Sequence, residues 1–108
     1  MDKNRLIIAE FSIVPVGSGE TSVGRYVAAA INAFKNAKGL EYEVTAMGTV
    51  LAADNLDTIF GAVRQAHDAV MAKGVKRVVS TLRIDDRRDK ARTMDDKVKA
   101  VERYMKEP

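Results

Sequence analysis

The sequence predicts an α+β domain with the element order β-α-β-β-α-β and one further helix after the last strand. Three observations predict it. Apolar residues alternate with period two over residues 6–14, 42–47, 49–53 and 76–84. They recur at helical spacing over residues 23–34, 56–71 and 94–105. Glycine, proline or helix-capping residues stand at the junctions between these stretches.

The first strand sends Ile7, Ala9, Phe11 and Ile13 to one side and Leu6, Ile8, Glu10, Ser12 and Val14 to the other. The first set is wholly apolar. The second turns polar at Glu10 and Ser12. Pro15 has no N–H for a further ladder bond and is expected to end the strand. Val16-Gly17-Ser18-Gly19-Glu20 is a turn, and Thr21 or Ser22 is the expected N-cap of the first helix. Val23, Val27, Ala30, Ile31 and Phe34 form that helix's buried stripe, and Gly39 follows as a stop.

In the second strand Tyr42, Val44 and Ala46 oppose Glu43, Thr45 and Met47. Gly48 bends the chain into the third. Asp54, Asn55 or Asp57 can cap the second helix, whose stripe includes Leu56, Ile59, Val63, Ala66 and Val70 and which Gly74 ends. The fourth strand puts Val78, Ser80, Leu82 and Ile84 on one face, with Arg77, Val79, Thr81 and Arg83 on the other. A charged loop follows. Thr93 with Asp96 then makes a capping-box start for the last helix, which carries Met94, Val98, Val101 and Met105.

Two β-α-β units with right-handed crossovers put both main helices on one face of an antiparallel sheet. This is the ferredoxin-like plait, with strand order 4-1-3-2 and an extra C-terminal helix. The 108 residues fit one domain, residues 1–108. The opposite sheet face has no helix on it. It would carry Leu6, Ile8, Glu10, Ser12, Val14, Glu43, Thr45, Met47, Val79, Thr81 and Arg83, a mixture too apolar to stand in water and too polar for a simple core. Glu10 and Arg83 sit on neighbouring strands and can pair. Such a face is either a sheet-to-sheet subunit interface or a pocket whose carboxylate and hydroxyls orient a ligand.

Composition removes several classes of function. No cysteine is present, so disulfides, thiol catalysis and Cys-ligated metals are excluded. A single histidine, His67, lies on a helix among apolar residues and reads as structural. Asp85, Asp86 and Asp89 alternate with Arg83, Arg87 and Arg88, which reads as a salt-bridged loop and not as a metal site. Arg83, Arg87, Arg88 and Arg92 could contact phosphate, but net charge is only +3 and aromatic residues are 6%. The central strands offer one aromatic, Phe11, on the helix-facing side, which argues against RNA. Gly17-Ser18-Gly19 before a helix is a possible anion site, although it lacks the Gly-Lys-Ser/Thr ending of a P-loop. No nucleophile–base pair is legible, so no enzyme, metal or cofactor is expected. No apolar stretch reaches membrane-spanning length and no signal-peptide pattern is legible, so the expected location is the cytoplasm.

Three blocks, SIVPVGSGETSVGRYV, YEVTAMGTVLAADNLDTIF and RIDDRRDKARTMDDKVKAVE, resemble the small thiamine-binding protein family, in its archaeal branch. The resemblance covers the chain from about Leu6 to Glu102. It implies a ferredoxin-like domain that assembles through its sheets, here as a homotetramer built as a dimer of dimers. It implies a ligand, thiamine or its hydroxymethylpyrimidine moiety, and no catalysed reaction. The residues implied for the ligand are Glu10, Ser12, Val14, Thr45, Met47, Gly48, Thr49 and Thr81. Glu10 would offset the thiazolium charge, the hydroxyls would bond the aminopyrimidine, and Met47 would pack on a ring. The chain departs from the family's pattern after Met-Gly-Thr, where relatives often carry an acid and Ala52 and Ala53 stand here. The rival reading is a structural or regulatory homo-oligomer with no thiamine role.

Overall fold

The computed structural model of the chain describes residues 6–89 and 93–107. Readings that involve residues 1–5, 90–92 and 108, Arg92 among them, lie outside the described residues. The elements are β1 (Ile7–Pro15), α1 (Gly24–Phe34), β2 (Glu41–Thr45), β3 (Gly48–Ala53), α2 (Leu56–Met71), β4 (Val78–Asp85) and α3 (Met94–Met105). The sheet is antiparallel with the order β2-β3-β1-β4, the ferredoxin-like plait with an added C-terminal helix.

The alternation in β1 decides which face is core. Ile7, Ala9, Phe11 and Ile13 are buried under α1 and α2, together with Leu51, Ala53, Ile59, Ala62, Ala66 and Val70. Full burial of a side chain such as Leu51 or Ile59 stabilises the fold by roughly 1.5–3 kcal/mol. Tyr42 lies on the same side and meets Phe34 edge-on, ring centroids 5.7 Å apart, which ties the edge strand β2 to α1. Across the uncovered face the register sets Glu10 opposite Arg83, Ser12 opposite Thr81 and Val14 opposite Val79.

Two boundary expectations change, and one holds. The N-cap of α1 is Val23, with no side-chain cap, and Thr21 and Ser22 are exposed. A clamp holds this end instead: Arg25 donates to Glu20 Oε1 and to the Tyr26 hydroxyl, both at 2.6 Å. Pro15 is the last residue of β1, as expected; it still pairs with Val78, and one further bond follows, from the Val16 N–H to the Arg77 carbonyl at 2.8 Å. Finally, β2 stops at Thr45 and β3 already begins at Gly48. Asn55 is the cap of α2, accepting from the Thr58 N–H at 2.8 Å, and the Thr93–Asp96 capping box forms as read.

Candidate functional site

The ladder between β1 and β3 stops at the pair Phe11–Thr49, whereas β1 continues beside β4 to Pro15. The chain has to turn between β2 and β3 just where β1 runs on. The Thr45 hydroxyl closes that turn, donating to the Gly48 carbonyl at 2.9 Å and accepting from the Met47 N–H at 3.3 Å. Gly48 lies hard against β1: a Cβ there would stand 2.9 Å from the Phe11 carbonyl oxygen.

Successive residues of a strand turn their N–H and C=O to opposite sides. Val16 bonds toward β4. Val14 therefore faces β4 as well, and Ile13 and Pro15 face the side where β3 has ended. The Ile13 N–H and C=O consequently have no ladder partner. Pro15 has no N–H to lose on that side, which is why the ladder with β4 passes through it. This gap opens into a cleft of about 440 Å³. Phe11, Ile13 and Val14 of β1, Val23, Val27, Ala30, Ile31 and Phe34 at α1, and residues 45–49 at the β2–β3 turn line it. Its walls are mostly apolar, and its size lies within the ordinary range of small-molecule sites.

Six of the eight residues read as ligand-binding lie around this cleft: Ser12, Val14, Thr45, Met47, Gly48 and Thr49. Thr49 is on the helix side, opposite Phe11, and only 5% exposed. Met47 is on the rim, 84% exposed. Glu10 and Thr81 are not part of it. Glu10 belongs to a separate depression with Ile8, Arg83, Asp85 and Lys97. Its carboxylate accepts from Arg83 at 2.8 Å across the ladder; the Arg83 side chain is largely in solvent and that of Glu10 is half-buried.

The other motifs fall elsewhere. Gly17 and Gly19 both take φ of 79°, where L side chains are strained, and Ser18 Oγ accepts from the Glu20 N–H at 3.2 Å. A second depression joins Gly17 and Ser18 to Tyr26, Lys73 and Lys76. Arg25 holds the Glu20 carboxyl below its ordinary value by hydrogen bonding to it. In the charged loop Arg88 pairs with Asp86 and Arg87 with Asp89, each at 2.8 Å. Each carboxylate raises its guanidinium's pKa. His67 is exposed on α2, and no metal-binding cluster occurs among the described residues. No helix among the described residues is long and apolar enough to cross a membrane. Of the two alanines after Met-Gly-Thr, Ala53 points into the core and Ala52, opposite Ile8, lies on the uncovered face.

The sequence reading placed Ile13, Val23, Val27 and Ile31 in the core and did not see the cleft they wall. A signal was present. Pro15 and Gly48 set β1 nine residues long and β3 six, so part of β1 must lack a partner on that side.

This is a ferredoxin-like plait with an apolar cleft where the inner β1–β3 ladder stops. The family described as thiamine-binding protein matches residues 9–102, and the chain belongs to it. A UPF0045 protein of Methanothermobacter thermautotrophicus is 47% identical over 96 residues, covering 89% of this chain and 96% of its own. A UPF0045 protein of Methanocaldococcus jannaschii is 48% identical over 97 residues, 90% of this chain and 93% of its own. A crystal structure from M. jannaschii superposes with a TM-score of 0.81 at 47% identity, covering 91% and 97% of the two chains. A candidate thiamine biosynthesis/salvage protein of Thermotoga maritima shares the fold, with a TM-score of 0.70 at 21% identity over 89% and 98%. The family is named for binding, and nothing in these likenesses indicates an enzymatic activity.

Proposed function

We propose that the chain is a non-enzymatic binding protein for thiamine or its hydroxymethylpyrimidine moiety, working as a cytoplasmic homo-oligomer, and that the ring sits in the cleft beside Ile13. One observation carries this reading. A backbone donor and acceptor of the same residue, Ile13, face an apolar cleft with no ladder partner. Buried backbone groups demand partners. An aminopyrimidine edge carries a ring-nitrogen acceptor next to an amino donor, which matches that pair. The apolar walls from Val23, Val27 and Phe34 suit the ring faces, and Met47 and Ser12 stand at the rim. The thiazolium would lie outside the cleft, toward the face that holds Glu10 and Thr81. The family membership supports the choice of ligand. The proposal keeps Gly17, Ser18 and Gly19 as an anion site, with Lys73 and Lys76 beside them supplying positive charge.

Isothermal titration with thiamine and with hydroxymethylpyrimidine should give saturable heat. Val27→Phe, which fills the cleft, should abolish it, and Thr81→Val, which lies outside, should leave the pyrimidine heat intact. No heat and no thermal shift at millimolar ligand would sink the reading. That outcome, with assembly retained, would favour the purely structural oligomer, for which the half-apolar uncovered face speaks.

A further inference from the structure

The cleft holds one buried polar side chain that the fold does not use. Thr49 is only 5% exposed and lines the cleft from the helix side of β3. Among the described residues its hydroxyl has no hydrogen-bond partner. No side-chain oxygen among the described residues is both sealed and unpartnered, so this hydroxyl is still reachable, and the cleft is what it borders. Valine would fill the same volume with no polar group to desolvate. Buried polar groups are normally paired, so an open hydroxyl here points to a ligand atom that meets it.

The other polar side chains at the cleft have different places. The Thr45 hydroxyl closes the β2–β3 turn. Ser12 belongs to the uncovered face, opposite Thr81. None of the described lining residues carries a charge, so a ring is read here by neutral hydrogen bonds.

Strand register decides which part of a ring Thr49 meets. Thr49 pairs with Phe11, two residues before Ile13, about 7 Å along the strand. Within a residue the N–H precedes the C=O along the chain. The free Ile13 N–H therefore lies on the side of Phe11 and Thr49, and the Ile13 carbonyl on the side of Pro15. An aminopyrimidine paired with Ile13 sets its ring nitrogen toward Thr49 and its amino group away. The ring carbon beyond that nitrogen, the 2-position, then bears the substituent nearest the Thr49 hydroxyl. A methyl group there leaves the hydroxyl unpaired, whereas an oxo group accepts its hydrogen bond.

We infer that Thr49 sets the specificity of the cleft at this ring carbon, and that it favours a neutral 4-aminopyrimidine with a hydrogen-bonding group at the 2-position. This inference rests on the reading that an aminopyrimidine edge pairs with Ile13. The thiamine ring, with its 2-methyl group, enters the same cleft and binds less tightly.

Isothermal titration of the full chain with cytosine and with 4-amino-2-methylpyrimidine tests this. The two probes share the ring nitrogen and amino group and differ at the 2-position. The wild type should bind cytosine roughly tenfold more tightly, the worth of one hydrogen bond. Thr49→Val keeps the volume, removes the hydroxyl and should bring the two dissociation constants together. Thr49→Ala removes the hydroxyl too and serves if the valine variant does not fold. Thr49→Ser keeps the hydroxyl and should keep the preference. Equal affinities in the wild type overturn the inference and leave the Ile13 pairing standing. A preference that survives in Thr49→Val, or an equal loss of both affinities there, overturns the role of Thr49. Heat with thiamine but with neither probe overturns this inference alone. No heat with any of the three removes the aminopyrimidine reading itself.

Discussion

At the scale of single residues, the cleft depends on a glycine whose backbone angles are ordinary. Gly48 is needed for its lack of a side chain, since a Cβ would press on the Phe11 carbonyl at 2.9 Å. That oxygen belongs to the β1 backbone and has no freedom to yield. Gly48→Ala should cost about 1–3 kcal/mol, seen as a melting temperature lower by roughly 5–15 °C. Gly61 is the contrast. It lies inside α2, and a Cβ there meets nothing within 4 Å. Gly61→Ala should therefore raise stability by about 0.5–1 kcal/mol. Similar melting temperatures for the two variants would contradict the close approach at Gly48. The Glu20 clamp makes a second residue-scale prediction. Its carboxyl is held below the ordinary 4.5 by the Arg25 hydrogen bond. A depressed carboxylate stabilises the fold above its unfolded value, and that contribution disappears as pH falls through the folded value. NMR titration should place the Glu20 midpoint below 4.5, and Arg25→Gln should return it to the ordinary range. A midpoint that Arg25→Gln does not move would refute the clamp.

At the scale of elements, helices α1 and α2 are held by packing, and α3 is held by its own ends. Phe34, Ile59 and Val70 are fully buried, while α3 buries nothing. Twelve residues are too few for a stable isolated helix. Its supports are the Thr93–Asp96 capping box and the ion pairs Lys99–Asp95 and Lys97–Asp85. Thr93→Ala removes half of that box at a cost of about 1 kcal/mol. In dilute protein, helical circular dichroism should fall by an amount corresponding to α3 while the melting of the body is unchanged. A coincident loss in both signals would mean that α3 is packed on the body. The strands were legible as strands because alternation is a local property. The start of α1 was not, because Thr21 and Ser22 have the right chemistry one or two residues too early. The helix begins where Val23 offers its carbonyl to Tyr26 and Val27.

At the scale of the whole molecule, the unequal strand lengths matter most. Element order and right-handed crossovers sufficed to predict the plait, and with it the strand adjacency that lets Glu10 meet Arg83. The location of the site did not follow. The sequence reading drew the ligand residues together on the uncovered face. The structure divides them, six around the cleft under the β2–β3 turn and two, Glu10 and Thr81, outside it. On the proposed reading the cleft takes the ligand and the uncovered face is left to assembly.

Periodicity, turn residues and capping chemistry are local, and by themselves they determined the element order, the core face of β1 and the helix-free sheet face. They also determined the narrow apolar stripe of α3, because spacing along a helix is spacing on its surface. Two things were decided only by the tertiary structure. One is that the Ile13 backbone loses its partner where β3 turns away. The other is that α3 buries none of its residues against the rest of the chain. Both depend on how elements meet, and hydrogen-bond register and burial are properties of pairs of elements that no single stretch of sequence contains.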